Sequence, residues 1–375
     1  MKRNLLFLLT AFLVLTSHSC KKEGTAEQAA LNLGTRFMRE EPVTVSVSGL
    51  GTKADMTVDF GDGTVETARS GETVTHRYTS VSDGKGYIDY AVKVQAGTRE
   101  FEKTIRVYDL LCITSLMQRL QDDPKRILNL THRCNTTDLS IPENSISALN
   151  ACIAGGIDAV EIDTHVTADG VVVISHDETI NRCTDGTGKI TEMTYAEIQQ
   201  YNLLDRNGRV TTEKIPTLEE MLLAGRGRIY YDLDYSPRSA STEQVMSVVS
   251  SLGMMEQCWF YCNSVAKIDE CIAFSPKTQV YAWVSNAAAL ARHDGLYFTQ
   301  SSYNPAGGST SAAQVASAEA LGTLTSVITL DNVPVDRVEA RHLDELLGLY
   351  PNVKMIMNNV GDAMKTALQE RGYNE

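Results

Sequence analysis

Two histidines, an arginine and two closely spaced carboxylates follow short apolar runs in the middle of the chain. His132 and Arg133 come directly after one run, and His176 comes after another. Glu161 and Asp163 alternate with apolar residues in a run between them. Histidine can exchange a proton near neutral pH, paired carboxylates can hold a divalent cation through oxygen, and arginine can bind phosphate oxygens. The segment could therefore combine acid–base chemistry with cation and anion binding.

These side chains can meet only if the apolar runs are neighbouring strands. From Arg126 onward such runs alternate with helical stretches, which indicates βαβ units and a parallel sheet. We predict an α/β barrel over residues 126–375, with its chemistry at the C-terminal strand ends. The strand candidates are 127–130, 159–163, 171–174, 228–235, 258–262, 279–284, 296–299, 326–330 and 353–357. A barrel of about eight strands needs one fewer, and the sequence leaves open which candidate is surplus.

Residues 42–108 have the period-2 alternation of half-buried strands, as in 43–47 and 90–94. This pattern predicts a small antiparallel β-sandwich before the barrel. A Gly-Asp-Gly turn at 61–63, followed by His76 and Tyr78, resembles a PKD-type immunoglobulin-like domain.

Asp59, Asp62 and His76 of this region could be interpreted as metal ligands. The Gly-Asp-Gly sequence is more typical of a tight turn. We assign the domain no chemistry and expect a spacer or a weak binding module.

The chain is long enough for a barrel of about 250 residues and one small domain, since it has 375 residues. Its 43% hydrophobic content is that of a soluble globular protein. The net charge of −13 argues against a nucleic-acid partner, which requires a basic surface.

The N-terminus resembles an export signal. Lys2 and Arg3 precede an apolar stretch at 5–15, which is too short to span a bilayer, and a polar segment ends at Cys20. We expect residues 1–20 to be the signal peptide of a bacterial lipoprotein that is lipidated on Cys20. The protein would then be exported, as a periplasmic or outer-membrane lipoprotein of a Gram-negative bacterium. Ordinary signal-peptide cleavage nearby is the alternative. We predict linkers at residues 21–41, which contain a weak helical run, and at residues 109–125.

The motifs around the histidines resemble the glycerophosphodiester phosphodiesterase family. The family pattern reads His-Arg-Gly, Pro-Glu-Asn, Glu-x-Asp, Thr-x-Asp-Gly and His-Asp, and this chain follows it in order with Cys134 in place of the glycine. The resemblance implies a TIM barrel of the phospholipase C-like phosphodiesterase type. It also implies a small-molecule phosphodiester substrate, split into glycerol 3-phosphate and an alcohol.

The resemblance further implies roles for individual residues. His132 and His176 would be the general acid and base, in an order that the sequence leaves open, and Arg133 would bind phosphate. Glu143 and Asn144 would lie at the substrate, although Asn144 could equally cap the helix that follows it. Trp283 could line the substrate pocket or fill the core.

The implied cofactor is a divalent cation, Ca²⁺ or Mg²⁺, held by Glu161 and Asp163 and by a second strand. In the family that strand reads Glu-x-Lys, whereas this chain has Asp232 and Asp234. Asp234 therefore reverses the charge of a phosphate-facing lysine. Four carboxylates this close would raise one another's pKa unless a cation neutralises them.

Two departures from the family leave alternatives open. The chain ends at residue 375, where the family continues into a closing strand, so the barrel either lacks that strand or closes differently. Cys134 and Cys183 lie in loops near the histidines and could form a disulfide or remain free thiols.

The preferred hypothesis is a lipid-anchored, metal-dependent phosphodiesterase. A catalytically silent binding barrel, or an enzyme for lysophospholipid or sugar phosphodiesters, is the alternative.

Overall fold

The computed structural model describes residues 29–39, 42–50, 54–80, 87–108, 111–236, 238–275, 278–303, 310–330 and 343–374. These residues form two compact units. The first contains the described residues up to Thr35, Pro42–His76 and Tyr90–Ile105, and the remaining described residues form the second. The predicted signal peptide with Cys20, and residues 21–28 of the predicted linker, lie outside the described residues.

The described residues up to 108 form eight strands. They are β1 (Ala30–Asn32), β2 (Arg36–Met38), β3 (Val43–Ser48), β4 (Asp55–Asp59), β5 (Val65–Arg69), β6 (Val74–His76), β7 (Tyr87–Ala96) and β8 (Arg99–Tyr108). One sheet has the order β1-β3-β6 and the other β2-β8-β7-β4-β5. The predicted antiparallel sheets are confirmed, with β2 running parallel to the end of β8. The PKD-type identity stays a prediction.

β1 and β2 correct the weak helical run that we predicted in the linker at 21–41. Leu31 pairs with Val47 of β3 and Phe37 with Val107 of β8, so sheet pairing overrides the local helical pattern.

The Gly-Asp-Gly segment forms a tight turn. Gly61 has φ +77°, and a Cβ there would lie 2.7 Å from the carbonyl oxygen of Ala91, so only glycine fits. Asp59 accepts a hydrogen bond from the Gly61 backbone (2.9 Å), and Asp62 accepts one from Thr64 (3.0 Å). The carboxylates hold the turn itself, as the turn interpretation expects.

The described residues from 111 onward form nine strands: β9 (Leu128–Thr131), β10 (Ala159–Val166), β11 (Val172–Ile174), β12 (Tyr230–Asp234), β13 (Cys258–Cys262), β14 (Gln279–Trp283), β15 (Phe298–Ser302), β16 (Leu324–Ile328) and β17 (Val353–Asn358). All except β11 run parallel in the order β9-β10-β12-β13-β14-β15-β16-β17, and β17 pairs with β9. The predicted barrel is confirmed and it is closed. Of the two alternatives that the sequence left open, the barrel closes differently, because β17, which was among the strand candidates, pairs with β9.

The surplus strand candidate is β11, which runs antiparallel to β10. Only a few residues separate the two strands, too few for the crossover that parallel neighbours require. Consequently His176 follows a hairpin rather than a barrel strand.

Helices cover the barrel and complete the second unit. They are α1 (Ile113–Asp122), α2 (Ile146–Ala154), α3 (Tyr195–Ile198), α4 (Leu218–Gly225), α5 (Thr242–Ser251), α6 (Val265–Phe274), α7 (Ala287–Leu290), α8 (Thr310–Glu319), α9 (Leu343–Leu349) and α10 (Gly361–Glu370). Thr217 and Glu220 form a capping box that starts α4, and Ser241 and Gln244 do the same for α5. Among the described residues, no helix is both long and apolar enough to cross a membrane.

α1 lies within residues 109–125, which we predicted as a linker. Its buried residues Ile113, Leu116 and Leu120 share one core with Leu128 of β9 and Trp259 of β13. That core occupies the base of the barrel, so the segment belongs to the folded unit.

Candidate active site

A cavity of about 220 Å³ opens above the apolar base of the barrel. In several strands, a residue of the apolar core at the base of the barrel is followed two positions later by a residue that lines the cavity, because alternate side chains point inward. The pairs are Ala159 and Glu161, Tyr230 and Asp232, Trp259 and Tyr261, Tyr281 and Trp283, Phe298 and Gln300, and Met355 and Met357. The cavity therefore lies toward the C-terminal strand ends, where the sequence pattern placed the site.

Strand register brings the predicted carboxylates together. On β10 and β12, Glu161 pairs with Asp232 and Asp163 with Asp234. Carboxylate oxygens of Glu161, Asp163 and Asp234 all lie within 4.8 Å of one another. We call these three residues the acidic triad. Asp232 lines the cavity but is not a member of the triad, and its role as a ligand stays a prediction.

Burial and mutual repulsion shift the pKa values of these carboxyls, as the sequence predicted for converging like charges. Burial raises the pKa of Glu161 well above its usual range, and the charges of Asp163 and Asp234 raise it further. Burial also raises the pKa of Asp234 to about 6. Burial alone would raise the pKa of Asp163, but the neighbouring charges, of which that of Arg238 is the largest, together lower it.

Arg238 is a site residue that sequence reasoning missed. Its guanidinium Nη2 contacts Oδ1 of Asp163 and lies 2.9 Å from Oδ2 of Asp234. Its Nη1 donates to the backbone carbonyl of His176. Arg238 stands four residues after Asp234 in the loop that follows β12, where no periodic pattern marks it. The site thus holds a second arginine besides Arg133.

His132 is fixed by the strands on both sides of β9. Thr131 pairs with Val160 of β10 and with Asn358 of β17, so the next residue, His132, falls level with Glu161 and Asn359. Its Nδ1 lies 2.8 Å from Oδ1 of Asn359, and its Nε2 lies 3.9 Å from Oε2 of Glu161. An amide oxygen only accepts, so Nδ1 carries the proton and Nε2 is left as the acceptor.

Burial and the adjacent Arg133 charge lower the pKa of His132 to about 4. At neutral pH His132 is therefore an uncharged imidazole. Because it lines the cavity, its free Nε2 can accept a proton there.

His176 has a different environment. Its Nδ1 lies 2.6 Å from Oδ1 of Asp177, and Arg182 also contacts that carboxylate. Hydrogen bonds from Arg182 and His176 outweigh burial and lower the pKa of Asp177 to about 2. Asp177 is therefore ionised, and its carboxylate orients the imidazole of His176. Arg182 is a second residue that sequence reasoning missed.

Arg133 and Glu143 belong to a charged network beside the cavity. Nη1 of Arg133 lies 3.2 Å from Oε1 of Glu143, which also accepts from Arg182 at 2.7 Å. The backbone N–H of Arg133 donates to Oε2 of Glu161 (2.9 Å). Glu143, predicted at the substrate, bridges two arginines, and none of Glu143, Arg133 and His176 is among the residues that line the cavity.

The Pro-Glu-Asn segment positions an amide against the acidic triad. Nδ2 of Asn144 donates to Oδ2 of Asp163 (2.8 Å). The helix cap that we considered for Asn144 is instead Ser145, whose hydroxyl accepts from the Ala148 backbone. Asn144 thus holds a carboxylate of the triad.

Three residues beside the site have left-handed backbone conformations. Arg133, Cys134 and Asn144 all have φ between +54° and +57°. The glycine of the family pattern is replaced by Cys134 at a left-handed position, which favours glycine. Cys134 and Cys183 are both free thiols, and Cys134 is buried.

Trp283 lines the cavity, and the tryptophan that fills the barrel core is Trp259. Ile328, Leu330 and Met357 complete an apolar wall on the same cavity. One side of the cavity is therefore charged and the other is apolar.

The acidic triad suits a hard divalent cation, since its donors are all carboxylate oxygens. Oδ1 of Asp234 is buried and has no hydrogen-bond partner, which leaves one oxygen available to a cation. Both oxygens of Asp163 are engaged, by Arg238 and Asn144. The residues fit a cation once Arg238 has moved.

The fold and the site together give the class of protein. It is an α/β barrel with paired carboxylates and a histidine at the C-terminal ends of its strands. The profile of the glycerophosphoryl diester phosphodiesterase family matches residues 132–346, more than half of the chain. The chain belongs to this family.

Curated relatives resemble the motif region. Glycerophosphodiester phosphodiesterase 1 of Bos taurus is 38% identical over 99 residues, which are 25% of this chain and 29% of that protein. A glycerophosphodiester phosphodiesterase of Caldanaerobacter subterraneus is 35% identical over 97 residues, 26% of this chain and 39% of that protein. The chain thus spans less than half the length of these relatives.

Solved structures share the fold. A glycerophosphoryl diester phosphodiesterase from Parabacteroides distasonis superimposes with a TM-score of 0.60 at 20% identity, covering 70% of this chain and 93% of that one. A phosphodiesterase from Oleispira antarctica in complex with the product sn-glycerol-3-phosphate gives a TM-score of 0.52 at 19% identity, covering 65% and 97%.

Proposed function

We propose that this chain is a metal-dependent glycerophosphodiester phosphodiesterase that releases glycerol 3-phosphate and an alcohol. The observation that carries the proposal is that His132 lines one barrel cavity together with Glu161 and Asp234, two members of the acidic triad. Membership of the phosphodiesterase family supports it. A divalent cation held by Glu161, Asp163 and Asp234 would supply positive charge to the phosphate oxygens.

His132 is assigned as the general base. Its Nδ1–H is held by Asn359, so neutral Nε2 can take the proton of the substrate's glycerol 2-hydroxyl. That oxygen attacks phosphorus and the bond from phosphorus to the alcohol oxygen breaks, which leaves a cyclic phosphate. Water then opens the cyclic phosphate to glycerol 3-phosphate.

His176 is assigned as the general acid that protonates the departing alcohol oxygen. Its contact with Asp177 orients the imidazole for this role. Arg133 is assigned to the phosphate, with Glu143 holding its guanidinium.

Two further assignments rest on the sequence. Cys20 would be the lipidated residue of an exported, membrane-anchored protein, and the N-terminal sheets would form a PKD-type spacer. Palmitate labelling of the full-length chain and its Cys20→Ser variant tests the anchor, since label that persists in the variant excludes it.

The activity test uses the protein beginning at Lys21, metal-free and then supplied with Ca²⁺, Mg²⁺ or EDTA. Release of glycerol 3-phosphate is measured from glycerophosphocholine and glycerophosphoethanolamine. We expect metal-dependent release that His132→Ala abolishes. His293→Ala is the matched control, because His293 contacts Asp269 away from the cavity. Folded protein without release from any diester would favour the silent barrel.

The apolar wall favours a second candidate substrate. Trp283, Ile328, Leu330 and Met357 could accept an acyl chain or another apolar alcohol. Lysophosphatidylcholine is therefore added to the assay. A higher kcat/KM for it than for glycerophosphocholine, lost in Trp283→Ser, would identify a lysophospholipid-type substrate.

A further inference from the structure

The guanidinium of Arg238 occupies two of the three carboxylates that would bind a cation. Nη2 contacts Oδ1 of Asp163 and lies 2.9 Å from Oδ2 of Asp234. The other oxygen of Asp163 accepts from Asn144 at 2.8 Å. Each carboxylate oxygen of Asp163 therefore already accepts a hydrogen bond while Arg238 stays in place.

Arg238 also supplies positive charge beside the clustered carboxylates of the site. Glu161, Asp163, Asp232 and Asp234 are four acidic side chains at the ends of two adjacent strands. Arg133 and Arg238 are the arginines beside them in the described part of the chain, and Nε of Arg133 lies 3.6 Å from Asp163. Buried carboxylates are costly without a neighbouring cation. Arg238 thus does electrostatically what a divalent cation would do.

We propose that Arg238 is an internal competitor of the catalytic cation. In the metal-free protein its guanidinium neutralises Asp163 and Asp234, and a divalent cation binds the acidic triad only by displacing it. The inference rests on the proposed function for the identity of the site, but its test is a binding measurement. Arg238 would then set the affinity of the acidic triad for the metal. Asp163 and Asp234 would be the two carboxylates that hold Arg238 in the metal-free protein.

The test compares metal binding by the full-length chain and its Arg238→Gln variant. Mn²⁺ is titrated into EDTA-stripped protein and free Mn²⁺ is followed by electron paramagnetic resonance. If Arg238 competes, its removal tightens Mn²⁺ binding by about 10- to 100-fold. Arg238→Lys, which keeps the charge without the planar fork, should give an intermediate affinity.

Arg182→Gln is the matched control. Arg182 lies in the neighbouring network on Asp177 and Glu143 and has no contact with the triad among its ion pairs. Its removal changes the net charge equally, so a general electrostatic effect would appear in both variants. We expect at most about a twofold change in Mn²⁺ affinity for Arg182→Gln.

A second measurement guards against a variant that simply folds less well. Without metal, Arg238→Gln should melt at a lower temperature than the wild type, and saturating Mn²⁺ should raise its melting temperature more than that of the wild type. Unchanged or weaker Mn²⁺ binding by Arg238→Gln, or no binding by either protein, overturns the inference. Tighter binding in a protein without phosphodiesterase activity supports the inference and rejects the proposed function.

Discussion

The amide oxygen of Asn359, which follows β17, lies 2.8 Å from Nδ1 of His132, which follows β9. This hydrogen bond joins the last strand of the barrel to the first and fixes which nitrogen of the imidazole faces the cavity. Asn359 does not line the cavity itself, so it acts as a positioning residue.

We expect Asn359→Leu to lower kcat by about 10- to 100-fold while KM changes little, because the base would lose its orientation and tautomer. Glycerol 3-phosphate release over a range of substrate concentrations measures both constants. Asn359→Asp should keep the hydrogen bond and raise the pKa of His132, which would move the acid limb of the rate profile to higher pH. A change in KM alone would contradict the positioning role.

The lowered pKa of His132, about 4, predicts the pH dependence of the reaction. A base must be deprotonated in the free enzyme, and His132 is deprotonated above this value. The acid limb that His132 imposes on kcat/KM should therefore lie below about pH 5, well under the ordinary histidine range. Rates in saturating metal between pH 4 and pH 8 measure it. An acid limb near pH 6.5 that persists in the Asn359→Leu variant would contradict the assignment.

The free energy of unfolding should depend on pH over the range between the ordinary and the lowered pKa of His132. Between pH 6.5 and pH 4 the unfolded chain binds a proton at His132 that the folded chain excludes, so stability falls as the pH falls. The His132 contribution lost by pH 4 is on the order of 3 kcal/mol. Urea unfolding at several pH values should show that His132→Gln loses less stability over this interval than the wild type. Parallel pH curves for the two proteins would exclude a lowered pKa.

The two aspartates of β12 should behave differently. Asp234 belongs to the acidic triad and contacts Arg238, whereas Asp232 lies outside the triad. We expect Asp234→Lys to lower both Mn²⁺ affinity and kcat by about tenfold or more, because it places a cation among metal ligands. Asp232→Asn should change Mn²⁺ affinity by no more than about threefold. Higher activity in Asp234→Lys would indicate a site degraded by the loss of the family lysine.

The sequence was sufficient to predict the barrel and the core of its site. Apolar runs and their terminal polar residues identified His132, Glu161 and Asp163, because inward-pointing side chains recur every second residue. The same rule could have found Asn359, a polar residue at the end of the last apolar run. The short turn before β11 could likewise have identified that strand as a hairpin.

Other features depend on geometry that the sequence does not encode locally. Both Asp232 and Asp234 point inward, and only the stagger between β10 and β12 decides which one reaches the triad. Arg182 and Arg238 lie on loops, where position is set by the partners they meet rather than by any period. Closure by β17 depends on its pairing with β9, more than 200 residues earlier in the chain, which no local pattern indicates.

Cys134 provides a test of the strained backbone beside the site. It has φ +57° and is buried in a core cluster with Cys152 of α2. In Cys134→Gly the relief of backbone strain should offset the lost packing, so the free energy of unfolding should change by no more than about 1 kcal/mol. Cys134→Val should cost about 2–4 kcal/mol, because a β-branched side chain resists the left-handed conformation and overfills the core.

Cys152→Val is the matched control for that prediction, since Cys152 is equally buried but lies on ordinary helical backbone. Overpacking alone should cost it about 1–2 kcal/mol. Urea unfolding of the three variants gives the comparison. Cys134 directly follows Arg133, whose N–H donates to Glu161, so a shift of the backbone in Cys134→Val should lower kcat while Cys152→Val leaves it near the wild-type value. Equal losses of stability and activity in the two valine variants would show that packing, and not the backbone conformation, dominates at Cys134.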